Sequence, residues 1–103
     1  MPLQNIGLSR ETIDKLQAIF LGHPKIQKVL LYGSRAKGNF KNGSDIDLTL
    51  VAPDLGVSEL LKIENEIDDL LLPYKVDLSL HHMIDNQELK EHIHRVALEF
   101  SSL

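Results

Sequence analysis

Two aspartates separated by one residue, Asp45 and Asp47, lie in a stretch that otherwise resembles a buried strand. Side chains alternate between the faces of a strand, so both carboxylates point to one side while Ile46 and Leu48 point to the other. A third carboxylate, Asp77, lies in the later apolar segment VDLSL. Clustered carboxylates repel one another unless a cation joins them, and oxygen ligands suit Mg²⁺. The pattern therefore predicts a Mg²⁺ site, with a second ion about 3.5–4 Å away as in two-metal phosphoryl transfer.

A Gly-Ser corner precedes the aspartate pair and could bind the phosphates of a substrate. Glycine lets the backbone approach a phosphate closely, and N–H groups at the start of a short helix point at an anion. The Ser34 hydroxyl can donate, and Arg35 and Lys37 could neutralise phosphate oxygens. The competing interpretation of these two cations is that they are solvated surface charges. The predicted phosphate-binding set is Gly33, Ser34, Arg35, Lys37 and Ser44.

Helices and strands must alternate around these residues to position them. The spacing of apolar and turn residues predicts strands over 28–32, 45–51 and 75–80, a helix over 10–21 capped by Ser9, and a helical turn over 35–37. It also predicts a helix between a cap at Ser58 and a stop at Pro73, and a last helix capped by Asp85 whose apolar stripe extends to Phe100. The link between the first two strands is too short for a crossover helix, so we expect them to be antiparallel. The order predicts an α+β, two-layer (α/β) fold in which helices pack on a small mixed three-stranded sheet.

Size and composition restrict the classes of protein that remain. A chain of 103 residues is expected to form one domain, 1–103. Its net charge of −4 argues against extended binding to nucleic acid. No apolar run approaches the ~20 residues of a membrane helix, so no membrane is expected as a partner. The chain has no cysteine, which is compatible with the cytoplasmic location that we expect.

Two further groups of side chains allow more than one interpretation. The five histidines are interpreted as surface groups or as neighbours of the ligands rather than as ligands. His92 and His94 are two apart on a predicted helix and so do not share a face. In the last helix, Ile93, Val96 and Phe100 could face either the core or a partner.

The segment GSRAKGNFKNGSDIDL, followed by VDLSL, resembles the minimal nucleotidyltransferase family of the DNA polymerase beta-like superfamily. The resemblance implies the polymerase beta-like nucleotidyltransferase fold. It also implies that the protein is a Mg²⁺-dependent nucleotidyltransferase. It implies that Gly33 and Ser34 bind the nucleotide phosphates and that Asp45 and Asp47 hold Mg²⁺. Asp77 would complete one metal site and help to deprotonate the acceptor hydroxyl.

One position departs from the family pattern. Many relatives have Arg-Gly where this chain has Lys37-Gly38. Lysine keeps the charge but loses the bidentate fork of arginine, so the role of Lys37 is less well defined than that of Ser34.

The resemblance also implies a substrate and a partner. Many such proteins act as the antitoxin of a HEPN-domain ribonuclease toxin and transfer AMP from ATP to one of its tyrosines, which would make a hetero-oligomer. Polymerase beta-like enzymes normally use additional domains to bind the acceptor. The catalytic core alone accounts for the 103 residues of this chain. We therefore expect the acceptor to provide its own binding surface. The alternatives are an antitoxin that neutralises its toxin by binding alone and a transferase acting on a small molecule.

Overall fold

A mixed β-sheet of four strands organises residues 5–103, the part of the chain that this computed structural model describes. The strands are β1 (Lys28–Tyr32), β2 (Ile46–Val51), β3 (Val76–Leu80) and the short β4 (Leu98–Glu99), in the spatial order β3-β2-β1-β4. β1 is antiparallel to both β2 and β4, whereas β2 and β3 are parallel. The α+β class and the antiparallel pairing of the first two strands are thereby confirmed.

The helices cover the two faces of this sheet unequally. They are α1 (Arg10–Leu21), α2 (Ser34–Lys37), α3 (Val57–Asp68) and α4 (Gln87–Val96). α1 and α3 pack on one face and form the main core with the inward residues of the strands: Ile13, Leu16, Phe20, Val29, Leu31, Ile46, Leu48, Leu50, Ile63 and Ile67. α4 lies against the opposite face, which carries Tyr32. No helix in the described part of the chain is long and apolar enough to cross a membrane.

The predicted ends of the first helix and first strand agree with the structure, but two predicted helix caps are wrong. α3 begins at Val57 after Gly56, so Ser58 lies inside the helix. In α4 the capping side chain is Asn86 rather than Asp85, since its Oδ1 accepts a hydrogen bond from Leu89 N at 3.0 Å. Neighbouring polar residues can all cap a helix, and the local sequence does not distinguish them.

The prediction of three strands is wrong by one, because the last helix is shorter than its apolar pattern suggested. α4 ends at Val96, and the chain then extends to pair with β1, with Leu30 opposite Glu99. Phe100 turns into the main core and meets Phe20 edge to face at 6.4 Å between ring centres. Ile93 and Phe100 are only 2% and 0% exposed, so these two side chains pack within the chain rather than face a partner.

The sheet topology brings three segments to one end of the sheet. Because β1 runs opposite to β2 and β3, its last residues lie beside the first residues of the other two strands. Tyr32 is opposite Asp47, and Asp47 is in turn opposite Asp77. Gly33 and Ser34, the predicted phosphate-binding residues that we call the phosphate corner, follow Tyr32 directly. The phosphate corner therefore lies beside these carboxylates.

Candidate active site

Asp47 and Asp77 are direct neighbours across parallel strands. Adjacent strands lie about 4.8 Å apart, so the two carboxylates share one face of the sheet at close range. Asp45 is exposed and lies one residue before β2 begins. The next pair on this face, Thr49 and Ser79, is polar as well, and their hydroxyl oxygens are 2.9 Å apart. The face that α4 leaves partly open is therefore acidic at its end and polar behind it.

Crowding and burial alter the acidity of Asp47. Desolvation raises the pKa of this carboxyl above its ordinary value, and the negative charges of Asp77 and Asp45 raise it further. No ion pair within 4.0 Å involves any of the three carboxylates among the described residues. The protein thus supplies negative charge here without neutralising it through a paired cation.

The donor set suits Mg²⁺, although it is not a closed cage. Within residues 5–103, no three His, Cys, Asp or Glu side chains stand arranged as a complete metal-binding group. Mg²⁺ does not need such a group, since it is usually held by one or two carboxylates together with water and substrate phosphates. Asp47 and Asp77 are adjacent carboxylates with Asp45 beside them, so this donor set fits the ion.

Gly33 links the corner to the carboxylates. Its φ of 75° and ψ of −157° lie in a region that only glycine readily occupies. A Cβ at this position would collide with Asp47 Oδ2. The glycine is therefore required twice, once by its backbone conformation and once by the carboxylate that lies against it.

The short helix α2 follows Gly33 and presents backbone donors at its start. Its first intrahelical bond runs from Lys37 N to Gly33 O at 3.1 Å, so the N–H groups of Ser34, Arg35 and Ala36 have no partner within the helix. Ser34 is half-buried, and the Lys37 side chain is exposed. Both side chains remain candidates for phosphate binding, as predicted from the sequence.

Arg35 occupies a different environment from the one predicted for a phosphate ligand. Its side chain is only 2% exposed, and Nη1 donates to Ile6 O at 2.7 Å. Nε and Nη2 donate to Ser44 O at 3.2 and 2.9 Å, while the rings of Phe40 and Tyr74 cover the guanidinium group. A phosphate could reach this group only if the buried side chain or the two rings moved, so the geometry favours a structural role.

Ser44 also takes part in the internal structure of the loop. Its carbonyl accepts from Arg35, and its Oγ accepts a bond from Lys41 N at 2.8 Å. These bonds fix the loop immediately before Asp45. Direct phosphate binding by the Ser44 side chain stays a prediction.

His92 and Tyr32 belong to this site and were not singled out by the sequence. His92 Nε2 accepts a hydrogen bond from Gly33 N at 3.2 Å, and its ring meets Tyr32 edge to face at 6.1 Å. Burial raises the pKa of the Tyr32 hydroxyl, the charges of Asp77 and Asp47 add to this rise, and the Ser79 side chain opposes it. His92 is 59 residues from Gly33 in the chain, and no local pattern indicates that contact.

Comparison with known proteins identifies the family of this chain. Residues 14–98 match the family model described as "Polymerase beta, Nucleotidyltransferase". A relative from Methanocaldococcus jannaschii, named "Putative protein adenylyltransferase MJ1217", is 31% identical over 92 residues, which are 88% of this chain and 93% of that protein.

Solved structures share the fold. A chain in a crystal structure of a toxin–antitoxin complex with AMP-PNP has a TM-score of 0.68 and 24% identity, covering 90% of this chain and 73% of that one. A re-refined structure of the tri-AMPylated Shewanella oneidensis HEPN toxin in complex with MNT antitoxin gives a TM-score of 0.66 and 19% identity, covering 90% and 71%. The family model spans most of the sequence, and the solved structures share the fold. The chain therefore belongs to the polymerase beta nucleotidyltransferase family, and it is a nucleotidyltransferase.

Proposed function

We propose that this protein transfers AMP from ATP to a tyrosine hydroxyl of a HEPN-type ribonuclease toxin, with Mg²⁺ bound at Asp45, Asp47 and Asp77, and so acts as the antitoxin. The observation that carries the proposal is the contact between two halves of the site. Asp47 lies opposite Asp77 on the neighbouring strand and directly against Gly33 at the phosphate corner. A nucleotide whose phosphates bind at the corner would place them beside the acidic pair.

Mg²⁺ bound here would supply positive charge to the phosphate oxygens and favour the ionised acceptor. The residues of the chain orient the phosphates and accept the proton. The N–H groups of Ser34 and of the residues after it orient the phosphates, and the exposed Lys37 can add charge to the same region. Asp77, exposed at the end of the sheet, can accept a proton from the acceptor hydroxyl.

The reaction balances without any further reactant. The acceptor oxygen forms a bond to the α-phosphorus of ATP, and the bond from that phosphorus to the bridging oxygen of the β-phosphate breaks. Pyrophosphate leaves with that oxygen, and the acceptor proton passes to the base. This is an in-line displacement, for which positioning and electrostatic stabilisation supply most of the rate acceleration.

The relatives support the choice of acceptor. The curated relative is named as an adenylyltransferase of proteins. Two of the similar structures are toxin–antitoxin complexes, one described with AMP-PNP and one with a tri-AMPylated HEPN toxin. The acidic end of the sheet is open to solvent in the described residues. A protein acceptor could cover it and so complete the binding site.

Labelled ATP, Mg²⁺ and the protein encoded by the neighbouring gene provide the test. We expect label on a tyrosine of that partner, loss of labelling on addition of EDTA, and loss in Asp47→Ala. Asp54→Ala is the matched control, because Asp54 is an exposed aspartate in the turn after β2. Labelling that survives Asp47→Ala would contradict the proposal.

The same experiment separates the two alternatives. An antitoxin that works by binding alone would protect cells with both Asp45 and Asp47 replaced by alanine, and its complex would form without metal or ATP. A transferase for small molecules would consume ATP with a low-molecular-weight acceptor and leave the partner unlabelled. The first result would contradict the proposed mechanism, and the second would contradict the proposed acceptor.

A further inference from the structure

The bond between His92 and Gly33 joins the last helix to the phosphate corner. Gly33 N donates to His92 Nε2 at 3.2 Å, and this contact is partly buried. A ring nitrogen that accepts a hydrogen bond carries no proton, so the His92 proton lies on Nδ1. The bond therefore requires a specific tautomer in a specific orientation.

One ring contact and the burial of the helix restrict the orientation of His92. Tyr32, which is 8% exposed, meets the ring edge to face with an interplanar angle of 80°. The next residue in the helix, Ile93, is 2% exposed and fixes α4 against the sheet. The position of His92 thus depends on the Tyr32 ring and on the packing of α4 as well as on the bond to Gly33.

The bond is made by Gly33, whose backbone conformation is one that only glycine readily adopts. Gly33 has a φ of 75° and leads directly into α2, so its backbone angles decide where the N–H groups of Ser34 and the following residues point. The Gly33 N–H is itself already committed to His92, which leaves the later N–H groups for an incoming anion. A shift of the Gly33 peptide would change the direction in which those groups point.

We propose that His92 is a positioning residue of the nucleotide site: by accepting the Gly33 N–H, it holds the phosphate corner in its binding conformation before ATP arrives. This inference rests on the proposed function, because it assumes that the nucleotide phosphates bind at this corner. His92 touches neither substrate nor metal in this role, and it acts through Gly33. Pre-organisation of this kind improves affinity by removing the cost of ordering the site.

Three variants separate this role from a general structural one. His92→Leu removes the acceptor, and His92→Gln keeps an acceptor at similar reach. His94→Leu is the control, since His94 is exposed two residues further along the same helix. For each variant we would measure the affinity for Mg²⁺-ATP, the hydrogen-exchange rate of the Gly33 amide without nucleotide, and the melting temperature.

We expect His92→Leu to weaken Mg²⁺-ATP binding about tenfold and to speed exchange of the Gly33 amide, while His92→Gln keeps both within about twofold of the original values. His94→Leu should change neither. If His92→Leu does not fold, His92→Asn takes its place, because its amide is too short to reach Gly33.

Unchanged ATP affinity in a folded variant that lacks the acceptor would overturn the inference. So would equal losses in His92→Gln and His92→Leu. If the unsubstituted protein binds no ATP, the proposed function fails instead, and exchange of the Gly33 amide still reports whether His92 holds it.

Discussion

The Cα of Gly33 lies against the carboxylate of Asp47, and the space between them is too small for a methyl group. This contact makes the phosphate corner and the acidic pair one structural unit. It arises because Tyr32, the residue before Gly33, is paired with Asp47 across the antiparallel strands. A change in either residue should therefore affect both halves of the site.

Replacement of Gly33 by alanine tests this unit directly. The new Cβ would collide with Asp47 Oδ2, and the positive φ of 75° would be strained. We expect Gly33→Ala to lose nucleotidyl transfer at least a hundredfold and to lower the free energy of unfolding by about 2 kcal/mol. Transfer assays and chemical denaturation measure the two effects.

Gly43→Ala is the matched control for this substitution. Gly43 also has a positive φ, 83°, but a Cβ there would have no heavy atom within 4 Å. The backbone cost, about 1 kcal/mol, should appear without loss of transfer. Comparable losses of transfer in both variants would show that backbone strain, rather than the Asp47 contact, is the cause.

Asp47→Asn should separate stability from activity. Burial and the charges of Asp77 and Asp45 raise the pKa of Asp47, so its ionised carboxylate is less stable in the folded protein than in the unfolded chain. Asparagine removes that charge, and we expect the melting temperature without metal to rise by a few degrees while transfer is abolished. Asp54→Asn, at an exposed position outside the site, should alter neither property. A lower melting temperature for Asp47→Asn would show that the repulsion is already compensated.

Arg35 and Lys37 should differ in what they contribute, although both are cations of one short helix. Arg35→Met would leave the carbonyls of Ile6 and Ser44 without their donors and should lower the free energy of unfolding by about 3 kcal/mol. Lys37→Met changes an exposed side chain and should leave stability within about 0.5 kcal/mol while weakening ATP binding severalfold. Denaturation and ATP titration measure the two effects. A stable Arg35→Met protein with weakened ATP binding would instead support the phosphate role predicted from the sequence.

His23 should make stability depend on pH at a place remote from the site. It follows α1, and its two ring nitrogens face carboxylates of α3, with Nδ1 3.2 Å from Glu59 and Nε2 2.6 Å from Glu66. Burial lowers the pKa of His23, but the hydrogen bonds and charges of Glu66 and Glu59 outweigh it, so the net shift is upward.

The direction of the pH dependence of stability follows from the raised pKa of His23. A raised folded-state pKa means that the folded protein binds the His23 proton more tightly, so the stabilisation is complete below the unfolded pKa of about 6.5. It is lost as the pH rises through the higher folded value. His23→Gln should therefore reduce the melting temperature more at pH 5.5 than at pH 8.5, whereas His82→Gln, at an exposed position, should not. An equal reduction at both pH values would contradict this account.

Local patterns in the sequence were sufficient to predict most of the helices and strands that carry the candidate site. A short connection predicted the antiparallel pairing of the first two strands, and the structure confirms it. Asp45 was predicted to open the second strand, but it lies one residue before β2. These features depend on residues close together in the chain, where steric constraints leave few choices. The resemblance carried by the spacing of Gly33-Ser34 and the aspartates predicted the family that the comparisons show.

Only the tertiary structure decided which partners each side chain has. Arg35 looks like a phosphate ligand in the sequence, but the burial that places it among Ile6, Ser44 and two aromatic rings depends on segments far from it in the chain. His92 looks like a surface histidine, but the packing of α4 brings it to Gly33. The sequence determined which polar and charged groups lie in the candidate site, and long-range packing determined which of them are buried in internal contacts.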